Sequence, residues 1–302
     1  EGQLLVGRLE NSQLDPPVPA RRVGKVNRWA VEKVDDWRYL NGFTLSYQPK
    51  WVPGLFLGGS RVVQNYADSI KLTGKYLPAF DNLFRKKDEN AKDGTKDQIL
   101  SLYARWLWLA SKTEIYFEVG KADASWNLRD LLLAPEHSRA YLIGFTKLIS
   151  LPYRNQFIQV GFETTHLERS KTGTLRDEPK WYQNGKNRHG YTHHGEILGA
   201  GIDPGSNIQT LEVSWVNGLK KIGINLERLA NDNDFYYQVF DFVDTQKNGN
   251  WIDTSIGTVF TWNWKHILVD TKMQLIKSSN YQWEYGHDLT NFYLSLKTSY
   301  TF

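Results

Sequence analysis

The last twelve residues of the chain alternate between two kinds of side chain, and this period of two limits the possible folds more than any other feature. From Asn291 to Phe302, every second residue is apolar or aromatic apart from one threonine, and the positions between them are mostly polar. A period of two predicts a β-strand with one apolar face. Twelve residues exceed the ~5–6 of an average strand but suit a tilted strand of ~9–11 residues that crosses a bilayer.

The alternation recurs, so the sequence predicts an all-β fold: an antiparallel transmembrane β-barrel of the outer-membrane type, with about twelve strands in one domain over residues 1–302. Further alternating segments lie near residues 100–108, 114–120, 158–163, 210–215, 221–227 and 267–275. In water their apolar faces would form a large exposed surface, whereas lipid covers it. Their polar positions carry charges that we expect to line the barrel as a lumen network: Arg105, Glu114, Glu118, Glu163, Glu212, Glu227 and Lys272.

Short and long connections alternate between the predicted strands. The short links lie near residues 49–51, 110–113, 150–155, 217–219 and 263–265, and the long links near 10–37, 67–97, 121–137, 166–206, 231–251 and 280–288. Outer-membrane barrels have short periplasmic turns and long extracellular loops. We therefore expect the C-terminus in the periplasm, and short helices in the long loops near 76–97 and 125–134.

Composition excludes several other classes of protein. Lys+Arg is 37 and Asp+Glu is 33, which gives no basic footprint for nucleic acid. No apolar run approaches the ~20 residues of a membrane helix, and the absence of cysteine removes disulfides and thiolate chemistry. The 12 Trp and 16 Tyr suit the aromatic girdles of a barrel, although an aromatic-rich soluble sugar-binding protein remains an alternative.

The chain ends on an aromatic pair, Tyr300 and Phe302. This ending resembles the signal that outer-membrane barrels present to the barrel assembly machinery, so we expect that machinery as a partner during insertion. The alternative is an ordinary strand that happens to end in phenylalanine.

The longest predicted loop carries a family resemblance. It contains Trp181-Tyr182-Gln183-Asn184-Gly185 and then His189-Gly190-Tyr191-Thr192-His193-His194-Gly195-Glu196-Ile197-Leu198-Gly199. With its Gly-x-x-Leu-Gly, this stretch resembles the glycine-rich loop of the capsule assembly Wzi family, outer-membrane lectins that help to hold capsular polysaccharide at the cell surface. Weaker resemblance lies at residues 97–108, 114–123, 139–141 and 233–237.

The resemblance implies a non-catalytic lectin in the bacterial outer membrane, in contact with surface polysaccharide, membrane lipid and lipopolysaccharide. It also implies a barrel of about 18 strands with a periplasmic helical bundle, of which this chain matches the C-terminal portion. Fold similarity supports the ligand only weakly. Two rival functions stay open: a porin or solute channel, and a structural subunit of a larger outer-membrane complex.

The long loop supplies the candidate binding residues. Flat aromatic rings stack on sugars, and amide, carboxylate and imidazole groups bond to hydroxyls, which selects Trp181, Tyr182, His189, Tyr191, His193, His194, Glu196 and Asp203. The alternative is that the loop folds inward and plugs the pore, because its glycines permit a tight backbone path.

Metal and catalytic sites are not expected. Neighbouring histidines such as His193 and His194 point apart in an extended chain, and no second ligand set follows. Glu114 and Glu118 would lie about 13 Å apart on a strand, beyond the spacing of a glycosidase pair. Ser206 has no Gly-x-Ser-x-Gly context. We therefore expect no cofactor and no enzyme activity.

Overall fold

The structure is a computed structural model, and it describes residues 1–11, 34–68, 97–122, 138–170, 180–184, 187–240 and 248–300. The helices predicted near 76–97 and 125–134, and the terminal Phe302, lie outside these ranges.

Twelve strands form one antiparallel sheet in chain order, which confirms the predicted all-β architecture and strand number. They are β1 (Gly2–Leu9), β2 (Arg38–Tyr47), β3 (Leu55–Tyr66), β4 (Asp97–Trp108), β5 (Thr113–Ala122), β6 (Arg139–Ser150), β7 (Gln156–His166), β10 (Asn207–Asn217), β11 (Lys220–Ala230), β12 (Ile252–Trp264), β13 (Ile267–Ser279) and β14 (Leu289–Tyr300). A two-residue hairpin, β8 (Thr192–His193) and β9 (Glu196–Ile197), lies within the connection between β7 and β10.

Each strand of the large sheet pairs with its neighbours along nearly its whole length, and β7 pairs directly with β10. The predicted alternation of short and long connections is present throughout. The strands β1 and β14 form the two edges of the sheet, and within the described ranges they are not paired with each other.

Helical structure in the described ranges is short. The helix α1 spans Asn233–Val239, and 3-10 turns span Leu109–Ser111 and Tyr281–Trp283. None of the described helices is both long and apolar enough to cross a membrane.

The two faces of the sheet differ as the alternation predicts. In register, Val213 lies between Val160 and Ile224, and this outward face is apolar and open to the surroundings. The opposite face is polar and partly buried: the Gln274 amide donates to Asn225 Oδ1 at 3.4 Å and to Ser255 Oγ at 3.3 Å. An apolar outer face and a polar interior are the arrangement of a barrel in lipid.

Aromatic side chains gather on the outward face near the short turns. Trp106 and Trp108 stack there with ring centroids 4.9 Å apart, and exposed aromatic rings occupy the same end of other strands: Tyr47, Trp51, Tyr153, Trp264 and Tyr300. Such a belt is typical of the lipid–water interface, where one side of the ring meets lipid and its polar group meets water.

A charge on the lipid face of β14 is expected to destabilise the barrel. Leu294 lies in the middle of β14 and is 55% exposed, so Leu294→Arg is expected to cost roughly 2–4 kcal/mol at the bilayer midplane. The side chain of the neighbouring Ser295 points into the polar interior, so Ser295→Arg is expected to be tolerated. Urea unfolding in lipid vesicles measures both variants, and equal destabilisation by the two would contradict the assigned faces.

Candidate functional site

The connection from β7 to β10 reaches well beyond the two strands that it joins. It leaves the sheet after His166 and re-enters at Asn207, although β7 and β10 are paired neighbours. Between these points it crosses the inner face at the long-loop end and contacts residues at the ends of β1 to β6. We call residues 180–184 and 187–206 the crossing loop.

Trp181 anchors the first part of the crossing loop to the sheet. Its indole is 4% exposed and packs with Ala122, Ala140 and Ile202. A Cβ on Gly120 of β5 would lie 2.6 Å from the ring, so the absence of a side chain at Gly120 leaves the space that Trp181 fills. Gly120 pairs with Ser101 on the polar face of the sheet, which places Trp181 on the inner side of the barrel.

A buried arginine binds the middle of the crossing loop. Arg38, at the start of β2, is 0% exposed. Its guanidinium donates to the carbonyl of Gly190 and, at 2.7 Å, to the carbonyl of Thr192. It also donates to Gln64 Oε1 at 3.1 Å and to the carbonyl of Glu10 at 3.2 Å. Because each of these donors has an acceptor, the buried cation is compensated by hydrogen bonds rather than by water.

Asp97 and Gln64 extend this network. The Gln64 amide donates to the carbonyl of Gly190 at 3.0 Å and to Asp97 Oδ2 at 2.6 Å, and the Asn184 amide donates to Asp97 Oδ1 at 3.2 Å. The first residues of β2 and β4 and the end of β3 therefore hold two separate points of the crossing loop. A buried network that is satisfied in this way fixes one arrangement of its members.

The hairpin of β8 and β9 meets the end of β1. The backbone N–H of Glu10 donates to His193 Nδ1 at 3.1 Å, and the N–H of His194 donates to the carbonyl of Glu10 at 3.0 Å. His189 contributes nearby, since its Nε2 lies 3.0 Å from the carbonyl of Val34 and its ring contacts Tyr66 edge-on.

Tyrosines fill the centre of the crossing loop. Tyr182 stacks on Tyr191 with centroids 6.2 Å apart and accepts a hydrogen bond from the N–H of Ala200 at 2.9 Å. A side chain on Gly199 would clash with the Tyr182 ring at 2.4 Å. Burial raises the pKa of Tyr191 to about 12 and raises the pKa of Tyr182 as well, so both phenols stay neutral at physiological pH.

A second polar cluster joins the start of the crossing loop, and Arg169 ahead of it, to α1. Asp232 caps α1 by accepting from the N–H of Phe235 at 3.0 Å, and Lys180 lies 3.8 Å from the same carboxylate. The carboxylate of Asp234 accepts from the N–H of Arg169 at 3.0 Å. Burial raises the pKa of Asp232 and raises the pKa of Asp234 to about 6, although the hydrogen bond from Arg169 and its charge act in the opposite direction.

The structure therefore separates the eight predicted sugar-binding residues into two groups. Trp181, Tyr182, His189, Tyr191 and His193 are buried or half-buried and hold the crossing loop in place, so their rings do not present open faces to an external polymer. His194, Glu196 and Asp203 are exposed. In the described ranges no three His, Asp or Glu side chains form a group that could hold a metal ion.

The predicted lumen residues lie on the polar face. Arg105 Nε and Glu114 Oε1 are 2.5 Å apart, and Lys221 Nζ lies 2.5 Å from Glu212 Oε1. Glu118 accepts from the Ser101 hydroxyl and Glu163 accepts from the Tyr116 hydroxyl at 2.7 Å. Glu227 on β11 and Lys272 on β13 lie on the same face.

An aromatic surface that the sequence analysis missed lies at the long-loop end. Trp283 contacts Phe235 and Trp251 with ring centroids 4.8 and 5.4 Å away, and Trp251 contacts Tyr281 at 5.0 Å. Two further tyrosines in the same two connections are exposed: Tyr237 is 52% exposed and Tyr285 is 70% exposed. We call Tyr237, Trp251, Tyr281, Trp283 and Tyr285 the outer aromatic surface. The only sequence signal for it is the density of aromatic residues in two long loops.

The backbone under the outer aromatic surface is held in an unusual conformation. Asn280, Gln282 and Trp283 have φ values of 53°, 57° and 59°. These values lie in the left-handed region, which residues other than glycine rarely adopt. Hydrogen bonds fix the two tryptophans: Trp251 Nε1 donates to Asp253 at 2.9 Å, and Trp283 Nε1 donates to the carbonyl of Asn231 at 3.3 Å. Strain of this kind persists only where the surroundings compensate for it.

Comparison with known proteins shows the fold. No protein-family model matches the chain, and no curated protein matches it. Among solved structures it is similar to Wzi of Escherichia coli, a carbohydrate-binding outer-membrane β-barrel involved in group 1 capsule assembly, with 12% identity and a TM-score of 0.55. The match covers 87% of this chain and 50% of Wzi, so the chain spans about half the length of that protein.

A second solved structure that matches is LpxR from Salmonella typhimurium, with 10% identity over 86% of this chain and 88% of that one. Its TM-score is 0.29, which is too low to support a conclusion about the fold. The chain has the fold of an outer-membrane β-barrel. The likeness to Wzi confirms the fold implied by the sequence resemblance, and at 12% identity it shows the fold alone.

Removal of Arg38 is expected to release the crossing loop from the barrel wall. Arg38→Met leaves the carbonyls of Gly190 and Thr192 without this donor and Asp97 without the nearby cation, a change that costs several kcal/mol in buried networks. We expect a several-fold rise in single-channel conductance in planar bilayers. The control is Arg8→Met, because Arg8 is exposed and contacts the Glu10 carboxylate at 2.5 Å and the Trp37 ring rather than the crossing loop. Conductance that stays at the wild-type value in Arg38→Met would contradict the anchoring role.

The stability of the α1 loop is expected to depend on pH through Asp234. The folded pKa of about 6 exceeds the ordinary 3.8, so between these values the folded state binds more protons than the unfolded state. The protonated Asp234 therefore contributes to the stability of the folded α1 loop below about pH 4, and this contribution is lost as the pH rises to about 6. Hydrogen exchange of residues 233–239, corrected for intrinsic rates, is expected to show declining protection over this window. Asp234→Asn is expected to weaken the trend, with the remainder due to Asp232, whose pKa is also raised. A trend of opposite sign would contradict the assignment.

Proposed function

We propose that this protein resides in the bacterial outer membrane and binds a surface polysaccharide at its long-loop end. It binds the polysaccharide as a lectin and does not catalyse a reaction on it. The observation that carries the proposal is the outer aromatic surface, where Tyr237 and Tyr285 extend from the most exposed part of two long loops. Long loops of outer-membrane barrels lie outside the cell, so this surface is accessible to an extracellular polymer.

The chemistry of the outer aromatic surface suits a carbohydrate. Aromatic rings offer flat apolar faces to the C–H surfaces of a pyranose, while their hydroxyl and indole groups bond to polar partners. Hydroxyl-binding groups lie on the same loop: His287 Nδ1 is 3.2 Å from Glu284 Oε2, and Asp288 Oδ2 is 3.6 Å from Lys277 Nζ. The hydrogen bonds of Trp251 and Trp283 hold the base rigid, which lowers the entropic cost of binding.

The likeness to Wzi supports the proposal at the level of the fold. Wzi is a carbohydrate-binding β-barrel, and a shared architecture favours, but does not by itself assign, a shared ligand class. Capsular polysaccharide is the finer form of the proposal, with lipopolysaccharide and lipid as the surroundings of the barrel.

A porin is the less favoured function because the crossing loop occupies the inner face at the mouth. A structural role in a larger complex is favoured by a separate observation: within the described ranges, the outer edges of β1 and β14 pair with no strand. Backbone groups without partners are costly in lipid, so these edges are positions where further strands would pair. Copurification after mild detergent extraction tests that role.

Loss of both exposed rings is expected to weaken polysaccharide binding. Each aromatic contact contributes about 0.5–1.5 kcal/mol, so Tyr237→Ala with Tyr285→Ala is expected to reduce affinity roughly tenfold. The measurement is biosensor binding of the purified protein to capsular or extracellular polysaccharide isolated from the producing cells.

The matched control removes two exposed tyrosines from the opposite end, Tyr47→Ala with Tyr153→Ala, and is expected to bind normally. Full binding by the Tyr237 and Tyr285 double variant, at normal folding, would place the ligand elsewhere. Binding by neither the wild type nor any variant would argue against a carbohydrate ligand.

A further inference from the structure

The short turns share a charge pattern that is independent of the outer surface. Each of the five short connections contains or adjoins one exposed or half-exposed basic residue, and none contains aspartate or glutamate: Lys50, Lys112, Arg154, Lys220 and Lys265. Of the acidic residues near this end, Glu114 pairs with Arg105 and Glu212 pairs with Lys221 on the polar inner face. Asp270 accepts from the Thr261 hydroxyl at 2.8 Å, and Glu1 is exposed beside Ser46.

The five basic side chains are not neutralised by the protein. Within the described ranges none of them forms an ion pair. Lys112 does donate to the Ser150 hydroxyl at 2.6 Å and lies over the Phe157 ring, which leaves its charge in place. The short-turn end therefore carries a ring of uncompensated positive charge.

One sector of this ring combines two lysines with two tryptophans. Lys221 points inward to Glu212, so its neighbour Lys220 points outward, where its Nζ lies 4.2 Å from the Trp262 ring centroid. Trp262 is stacked on Phe260 with an interplanar angle of 2°. The next short turn adds the exposed Trp264 and Lys265.

The outward face beneath these residues is largely apolar, with threonines at positions 258 and 271. Ile222 pairs with Phe260 between β11 and β12, and both face away from the barrel interior. From the turn towards the middle of the strands, the order is ammonium group, indole ring and then aliphatic or phenyl side chains. A phospholipid has the same order of phosphate, glycerol backbone and acyl chain.

We propose that the Lys220–Trp262–Lys265 sector binds the phosphate of an anionic phospholipid in the periplasmic leaflet. The ammonium groups pair with the phosphate, the indoles lie at the glycerol level and the acyl chains run along Phe260 and Ile222. Lysine near a membrane surface is attracted to anionic lipid, and its methylene stem extends along apolar surface while the charge stays in water.

A lipid fits this sector better than an acidic protein does. Lys220 lies over a ring on the lipid-facing side of the sheet, in the interfacial belt, rather than on a tip that extends into the periplasm. A soluble partner would reach the ammonium groups but would not use the apolar face below them.

The test is native mass spectrometry of the detergent-solubilised protein with phosphatidylglycerol and with phosphatidylcholine of the same acyl chains. Wild-type protein is expected to prefer phosphatidylglycerol by roughly tenfold, and Lys220→Gln with Lys265→Gln is expected to lose most of that preference. The control, Lys121→Gln with Lys277→Gln, removes the same charge at the long-loop ends of β5 and β13 and is expected to keep the preference.

Two competitors distinguish other sources of negative charge. Excess inorganic phosphate is expected to leave the lipid bound, because it lacks the acyl contacts, and polyglutamate is expected to do the same. Equal binding of the two lipids by the wild type, an unchanged preference in the Lys220 and Lys265 variant, or displacement of lipid by polyglutamate would overturn the proposal. Because these readouts involve no polysaccharide, they stand apart from the proposed function.

Discussion

A buried guanidinium, that of Arg38, holds the crossing loop against the barrel wall, and the distribution of roles over the molecule depends on it. The charge is fully buried, and it is stabilised by carbonyl groups from the crossing loop and from the end of β1. An arginine cannot lose its proton in this position. The loop must therefore stay in place to supply those acceptors, and it closes the inner face while it does so.

This arrangement assigns the remaining surfaces by exclusion. The aromatic rings of the crossing loop pack against the protein itself, with Trp181 over Gly120 and Tyr182 against Gly199, so they are not open to an external ligand. Open aromatic faces remain at Tyr237 and Tyr285. The helix that carries Tyr237 is joined to the crossing loop by its N-cap Asp232, which lies 3.8 Å from Lys180. The opposite end of the strands presents lysine and tryptophan to the lipid interface. The proposed polysaccharide site and the proposed phospholipid site therefore lie at opposite ends of the strands.

Sequence patterns predict the strands well because lipid and lumen act on every second residue. The alternation from Asn291 to Phe302 corresponds to β14 within two residues, and the alternating link lengths match the observed connections. The glycines of the crossing loop indicated an inward path as one alternative, but the contacts of the loop were not predictable in this way. Trp181 is buried because Gly120, Ala122 and Ala140 on other strands are small, and His193 meets Glu10 across 183 residues of chain. Such contacts depend on tertiary structure that periodicity does not encode. An aromatic loop residue that packs inside the barrel therefore looked the same in the sequence as one that binds a sugar.

Disulfide trapping tests the position of the crossing loop most directly, because the chain contains no cysteine of its own. The backbone N–H of His194 donates to the carbonyl of Glu10 at 3.0 Å, a bond that side-chain substitution leaves in place. A Glu10→Cys, His194→Cys variant is therefore expected to cross-link rapidly under mild oxidation in intact membranes. Glu10→Cys with Asp203→Cys, at the other end of the loop, is expected to stay reduced. Failure of the first pair to cross-link, or equal cross-linking of both pairs, would contradict a crossing loop fixed at the end of β1.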